Sequence, residues 1–269
     1  MPSDDKMPFF GHLEELRKRI MVSLAAVGIG FALCFNYSES ILGFLLLPLR
    51  SHLVFVTKYP FLTFSTAKEI PSLIFLAPAE AFWMHMKLAF FAALFLSLPI
   101  LFHQLWKFVA PGLLPKERKY IVPFVAVSTA LFVAGSAFCL FIVLPFALQF
   151  LLTYKTEHLK AMLSIGNYMD FSIKFLLAFG LIFELPLAMV LATRLGFLTP
   201  DFLARNRKYA ILANFIVAAI LTPTPDVFNQ SLMAVPLCLL YEVGIIASRL
   251  LRKKPAPATE TTEAVAPSP

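Results

Sequence analysis

The amino-acid sequence predicts an all-α integral membrane protein with six transmembrane helices, and three observations support this prediction. Of the 269 residues, 59% are hydrophobic, whereas soluble domains have roughly 45–50%. The apolar residues occur in blocks whose lengths approach the ~20 residues that a helix needs to cross a bilayer. Lys and Arg lie mainly between these blocks and favour one side of the predicted membrane.

The six blocks follow one another along most of the chain, at residues 20–35, 81–102, 121–148, 171–193, 209–221 and 231–248. With a rise of about 1.5 Å per residue, the fifth helix would be about 20 Å long and the sixth about 27 Å. Both lengths are below the roughly 30 Å of a hydrocarbon core. We therefore expect short fifth and sixth helices that thin the bilayer locally, joined by a tight, proline-rich cap.

Two further segments are predicted to lie outside the hydrocarbon core. Residues 42–49 are apolar but too short to span, and Pro48 and Arg50 end the run, so an interfacial or outer-loop helix is expected. Residues 61–78 have a mixed composition that includes Pro71 and Pro78. This composition favours a structured extramembrane loop.

The distribution of basic residues predicts the orientation of the chain. Sixteen Lys and Arg residues lie on the side of the two termini and five on the opposite side. Because cytoplasmic segments carry the excess of positive charge, both termini are predicted to be cytoplasmic. Residues 1–252 form one predicted membrane domain, and residues 253–269, which lack large apolar side chains apart from Val265, form a predicted disordered tail.

Several classes of function are disfavoured by the sequence. The net charge of +7 is dispersed in short segments between apolar blocks, without a basic stripe that follows a nucleic acid. The three cysteines and five histidines have no metal-ligand spacing, so no metal or other cofactor is expected. No HExxH pair, GxSxG nucleophile or pair of intramembrane aspartates is present. The sequence therefore predicts a protein that is not an enzyme.

Glu184 is the acidic residue that the fourth predicted span carries deep in its apolar block. A charge at the centre of a bilayer costs about 2.5–3.5 kcal/mol on insertion scales, so such a residue usually faces a partner, a cavity or a substrate path. The alternative is a partner within the chain, such as a hydroxyl group of another span. Both interpretations predict a specific polar contact at mid-depth.

Two cytoplasmic segments carry candidate binding residues. On a helix, Glu14 and Glu15 lie four residues before Lys18 and Arg19, so two local ion pairs are one interpretation. The other is a carboxylate at the membrane surface that binds a cationic ligand such as a guanidinium group. Glu117, in the loop at residues 104–123, is either a solvated charge among its basic neighbours or a second such carboxylate.

Four motifs resemble the signatures of the TatC family. They are HLEELRKRI at residues 12–20, WKFVAPGLLPKERK at 106–119, FGLIFELP at 179–186 and LTPTPDVFNQ at 221–230. They occur in the family's order with compatible spacing, and the resemblance extends to about residue 252. TatC is the multispanning receptor subunit of the twin-arginine protein translocase.

The resemblance implies a receptor for signal peptides that carry paired arginines on folded cargo. It implies translocation driven by the proton-motive force across a bacterial cytoplasmic membrane. The implied partners are single-span subunits of the TatA and TatB types, and further copies of the chain. The implied site residues are Glu15 and Glu117 facing the arginines, Arg17 and Phe108 beside them, Glu184 contacting the partner subunits, and Pro48, Asp226 and Gln230 on the outer side.

A proton-coupled secondary transporter that uses Glu184 as its carrier is the alternative function. This alternative lacks an internal repeat and a second intramembrane acid of comparable depth. Loss of arginine-peptide binding in Glu15→Ala would favour the receptor, whereas solute transport by the purified protein alone would favour the transporter.

Overall fold

The computed structural model describes residues 9–55, 62–66, 73–109, 121–153, 162–222 and 226–251. These residues are nearly all helical. The helices are α1 (Phe9–Asn36), α2 (Ser38–Leu45), α3 (Leu47–Arg50), α4 (Glu80–Val109), α5 (Ile121–Phe138), α6 (Leu144–Thr153), α7 (Ile165–Phe183), α8 (Leu185–Arg194), α9 (Pro200–Arg205), α10 (Arg207–Leu221) and α11 (Val227–Leu250). A π-helix at Cys139–Val143 joins α5 to α6.

Five helical segments within the described residues are long and apolar enough to cross a membrane. They are Leu13–Asn36, Glu80–Phe108, Val122–Leu152, Ile165–Arg194 and Val227–Leu250. These segments correspond to five of the six predicted spans. The remaining prediction corresponds to α10, whose 15 residues give a length of about 22 Å. The fifth helix is therefore short, as predicted.

The sixth helix is longer than predicted. Helix α11 has 24 residues and a length of about 36 Å, so the expectation of a short sixth helix is wrong. The helix begins at Val227 because Asp226 caps it there: a carboxylate oxygen accepts from the backbone N–H of Asn229 at 2.7 Å. Residues 227–230, which were expected to belong to the connector between the fifth and sixth helices, thus form the first turn of α11.

Within the described residues, four short strands are the exception to the all-α prediction. Strands β1 (Ser51–Phe55) and β2 (Leu62–Thr66) pair antiparallel, and β3 (Leu73–Ile74) pairs in parallel with β4 (Leu163–Ser164). Strands β2 and β3 fall within the predicted structured loop at residues 61–78. Helices α2 and α3 occupy the region where a short non-spanning helix was expected.

Close helix contacts hold the bundle together, particularly between α5 and α7. A Cβ atom at Gly180 would lie 2.6 Å from the Phe132 ring, and one at Gly135 would lie 2.6 Å from the carbonyl oxygen of Phe179. Only glycine permits this approach. Many large apolar side chains elsewhere are exposed on the outer faces of the helices, as expected of surfaces that contact lipid.

The fourth span is broken between α7 and α8. Glu184 lies at the junction, and Pro186 occupies the first turn of α8, where its missing N–H group ends the regular hydrogen-bond ladder of α7. The break leaves the Glu184 side chain beside α5. The packing of α5 against α7 thus fixes the surroundings of the intramembrane acid.

Candidate functional site

The first part of the candidate site joins the beginning of α1 to the end of α4. The Arg19 guanidinium group donates to Glu15 Oε1 at 2.7 Å, and its other terminal nitrogen donates to Gln104 Oε1 at 3.2 Å. Both charged side chains are largely buried, with Glu15 19% and Arg19 25% exposed. The local ion pair predicted for Glu15 is therefore present, and it is anchored to a second helix.

This ion pair leaves hydrogen-bonding capacity unused. Glu15 Oε2 and Arg19 Nε are buried and have no hydrogen-bond partner among the described residues. A buried polar atom without a partner costs about 1–3 kcal/mol. A ligand that donates to Glu15 Oε2 would recover this cost, and a guanidinium group is suited to it because it carries several N–H donors in one plane.

An apolar groove leads away from these charges between α1 and α4. Its volume is about 400 Å³, and Arg19 and Gln104 lie on its wall. The rest of the lining consists mainly of large apolar side chains, including Leu16, Ile20, Leu24, Leu101, Leu105 and Phe108. The site thus combines a partly satisfied carboxylate with an apolar surface that runs into the membrane-spanning region.

The remaining residues predicted for the signal-peptide site are differently placed. Phe108 lines the groove, whereas Arg17 is exposed on α1. Glu117 lies outside the described residues, so its position beside Glu15 remains a prediction. The structure therefore brings Glu15 and Phe108 to one region, with Arg19 and Gln104 as neighbours that the motif did not single out.

Glu184 forms the second part of the candidate site. It lies near Ser128 of α5, whose Oγ accepts from the Trp106 indole at 3.3 Å. Glu184 Oε1 is buried without a partner among the described residues. A hydroxyl group of another span therefore lies near this acid, and the contact of Glu184 with a partner subunit stays a prediction.

The predicted residues at the opposite end of the bundle make structural contacts. The Asp226 carboxylate also accepts from Asn229 Nδ2 at 2.9 Å, and Gln230 Nε2 donates to the Phe215 carbonyl at 3.2 Å. These contacts cap α11 and tie it to α10. Pro48 is fully buried in α3.

The structure contains several polar contacts that the sequence analysis did not predict. Glu80, at the start of α4, accepts from the Ser164 hydroxyl and from the Gly166 backbone N–H at 2.9 Å. Lys87 donates to both carboxylate oxygens of Asp170, at 2.7 and 3.0 Å. All these partners lie about 80 residues apart, so no local motif indicates them.

The described residues contain no cluster of three or more His, Cys, Asp or Glu side chains that could hold a metal ion. The chemistry available at both parts of the site is hydrogen bonding by carboxyl groups and burial of apolar surface. This chemistry suits recognition of a cationic, partly apolar polypeptide.

Comparisons with a family model and with individual proteins match one family along most of the chain. Residues 11–236 match the family "Sec-independent protein translocase protein (TatC)". A protein of that name from Desulforapulum autotrophicum is 40% identical over 251 residues, which cover 93% of this chain and 87% of the relative. A protein of the same name from Carboxydothermus hydrogenoformans is 41% identical over 251 residues, which cover 93% of this chain and 96% of the relative.

Solved structures give the same result. A crystal structure of the twin-arginine translocase receptor TatC aligns with a TM-score of 0.72 and 34% sequence identity. The alignment covers 89% of this chain and 99% of that chain. A second crystal structure of the receptor, in the detergent DDM, aligns with a TM-score of 0.73.

Proposed function

The chain belongs to the TatC family, and we propose that it is the signal-peptide receptor and core subunit of a twin-arginine translocase. In this role it binds signal peptides that carry paired arginines and moves folded proteins across the membrane, driven by the proton-motive force. The observation that carries the proposal is the buried Glu15 carboxylate with one oxygen unpaired, at the end of an apolar groove. No covalent chemistry is required for this function.

Glu15 and Glu117 are the proposed counterparts of the two signal arginines. Arg19 orients the Glu15 carboxylate through Oε1, so Oε2 is the oxygen proposed to accept from a signal arginine. Glu117 would supply the second carboxylate from the loop after α4. Arg17 and Phe108 are proposed neighbours, with Phe108 contacting the apolar residues of the signal.

The groove between α1 and α4 is the proposed binding surface for the apolar part of the signal peptide. Burial of apolar surface contributes about 25 cal/mol per Å², so the groove adds affinity that the arginine contacts alone lack. Its proximity to Arg19 and Gln104 supports a ligand whose apolar and charged parts contact the same two helices.

The remaining assignments follow from the proposed role. The chain crosses the bacterial cytoplasmic membrane several times, with both termini in the cytoplasm. It assembles with single-span subunits of the TatA and TatB types and with further copies of itself. Glu184 contacts a partner helix through its free Oε1, and Pro48, Asp226 and Gln230 maintain the outer side. No observation favours the secondary-transporter alternative.

A binding measurement in lipid nanodiscs tests the proposal. A fluorescent signal peptide with paired arginines should bind the purified protein, and the same peptide with paired lysines should bind much more weakly because lysine lacks the planar fork of donors. Glu15→Gln and Glu117→Gln should each weaken binding, whereas Glu14→Gln, an exposed neighbour on α1, should not. Equal binding of both peptides to all variants would refute the proposal.

A further inference from the structure

The Arg19 guanidinium group is shared between two helices. One terminal nitrogen donates to Gln104 Oε1 of α4 at 3.2 Å, and the other donates to Glu15 Oε1 of α1 at 2.7 Å. A guanidinium group can only donate hydrogen bonds, so the Gln104 amide presents its oxygen to Arg19. Gln104 and Glu15 therefore use different donors of the same cation.

The contact between Arg19 and Glu15 is half of the contact that these two groups can form. A guanidinium group and a carboxylate frequently make two parallel N–H···O bonds, one to each oxygen. The second donor and the second acceptor, Arg19 Nε and Glu15 Oε2, are both buried without a partner among the described residues. A two-bond contact that uses Nε and the terminal nitrogen would satisfy both atoms at once.

The hydrogen bond to α4 accounts for the missing second bond. Arg19 lies four residues after Glu15 on the same face of α1, and unpaired buried polar atoms are disfavoured, so an unrestrained guanidinium group would turn to bond both oxygens. Gln104 restrains it from a helix that cannot follow, because α1 and α4 are closely packed. A Cβ atom at Gly30 of α1 would lie 3.2 Å from the carbonyl oxygen of Ala93 of α4.

We propose that Gln104 is a positioning residue that keeps Glu15 Oε2 open for a signal arginine by restraining Arg19. With Gln104 in place, Arg19 pairs with one oxygen of Glu15 and leaves the other for the ligand. Without Gln104, Arg19 bonds both oxygens, and an incoming arginine has to break a bond that is already formed. This inference rests on the proposed role of Glu15 in signal-peptide binding.

Removal of the amide group tests this role. Gln104→Met keeps an unbranched side chain but offers no oxygen to Arg19. The affinity for a signal peptide with paired arginines should fall about tenfold, as expected when the ligand must displace one hydrogen bond between charged groups. The melting temperature should stay close to that of the wild-type protein, because the second bond from Arg19 to Glu15 replaces the bond lost to Gln104. Fluorescence anisotropy and thermal unfolding in nanodiscs measure the two quantities.

Two further variants control for the substitution itself. Gln104→Glu keeps an oxygen acceptor for Arg19 and should avoid the loss of affinity. Gln149→Met makes the same exchange at an exposed position of α6, outside the lining of the groove, and should bind the peptide like the wild-type protein.

A double-mutant cycle tests whether Gln104 acts through Arg19. Arg19→Lys keeps the positive charge but lacks the planar fork of donors, so this side chain cannot bond both Glu15 oxygens in parallel. In the Arg19→Lys background, Gln104→Met should therefore cause no further loss of peptide affinity. Coupling between the two substitutions is the signature of residues that act through one network.

Four outcomes would overturn the inference. Unchanged peptide affinity in Gln104→Met, or an equal loss in the Arg19→Lys background, would refute it. A loss of affinity in Gln104→Met accompanied by a fall of several degrees in melting temperature would assign Gln104 a structural role instead. In these three cases, weakened binding in Glu15→Gln would leave the proposed function standing. Absence of peptide binding to the wild-type protein would refute the proposed function and the inference with it.

Discussion

Glu80 and Glu15 lie at opposite ends of the helix bundle and differ in how fully their carboxylates are hydrogen-bonded. Glu80 accepts from the Ser164 hydroxyl and from the backbone N–H groups of Gly166, Leu76 and Ala77. These donors come from the segment before α4 and from the beginning of α7. Glu80 therefore joins two segments about 80 residues apart.

Glu15 has one charged partner and an unused oxygen. Its Oε1 pairs with Arg19, and its Oε2 is buried without a partner among the described residues. Buried polar atoms are nearly always hydrogen-bonded in folded proteins, so an exception calls for an explanation in terms of a ligand or catalysis. The comparison indicates that the saturated acid stabilises the fold and that the unsaturated acid binds a ligand.

Removal of the unsaturated carboxylate should give the largest functional effect. In Glu15→Gln the affinity for a twin-arginine signal peptide is expected to fall about 100-fold, or ~2.7 kcal/mol, because a charge-assisted contact with guanidinium is lost. The melting temperature should fall only moderately, because the glutamine oxygen can still accept from Arg19 although the charge of the pair is lost. Fluorescence anisotropy and thermal unfolding in nanodiscs measure the two quantities.

Glu14→Gln is the matched control for this variant, since it makes the same charge change one residue earlier on an exposed position of α1. Its peptide affinity should match that of the wild-type protein. If Glu15→Gln lowers the melting temperature strongly and leaves affinity unchanged, the assignment of Glu15 to ligand binding is wrong.

Removal of the saturated carboxylate should give the opposite pattern. Glu80→Ala deprives three backbone N–H groups and the Ser164 hydroxyl of a shared acceptor, so the melting temperature should fall by several degrees. Peptide affinity should be unchanged, because Glu80 lies far from the groove between α1 and α4. Glu39→Ala, an exposed acid in the first turn of α2, provides the control.

The fold could be predicted from the sequence wherever the bilayer determines helix length. Five apolar blocks became helices long enough to span, and the short block at residues 209–221 became the short α10. The length of α11 was mispredicted because apolarity alone does not show that Asp226 caps the helix and extends it. The break at Glu184 was likewise not predicted, although Pro186 is a local signal for it.

The candidate site was predictable only in part, because the local sequence does not show which distant helices pack together. Acidic residues beside a membrane block single out Glu15 and Glu184, since charge is costly there. Their wider surroundings depend on packing between distant helices: Arg19 reaches Gln104, 85 residues away, and Glu184 lies near Ser128 because α5 packs on α7. Nothing in the local sequence distinguishes these partners from other polar residues in apolar blocks.

A smaller loss of stability is expected when an added methyl group displaces the Glu80 side chain but does not remove its carboxyl group. In Gly166→Ala the new Cβ would lie 2.6 Å from Glu80 Oε1 and 3.0 Å from its Cγ, so the carboxyl group must shift. We expect a loss of about 1 kcal/mol in the free energy of unfolding, at the low end for overpacking because the obstacle is a side chain. Thermal unfolding measures it.

Gly43→Ala serves as the comparison for Gly166→Ala. A Cβ at Gly43 meets no atom within 4 Å, and alanine favours the helix, so this change should be neutral or stabilising. An equal loss of stability in both variants would mean that the effect does not pass through Glu80.

The smallest effect is expected at Asp170, an acid that is satisfied by a single exposed partner. Both of its oxygens accept from Lys87, but the two side chains are 40% and 49% exposed. Such pairs contribute about 0.5 kcal/mol or less, so Asp170→Asn should change the melting temperature by no more than a degree or two and leave peptide affinity unaltered. A loss of peptide affinity comparable to that of Glu15→Gln would contradict the distinction drawn here, because it would assign binding to an acid whose oxygens are already occupied.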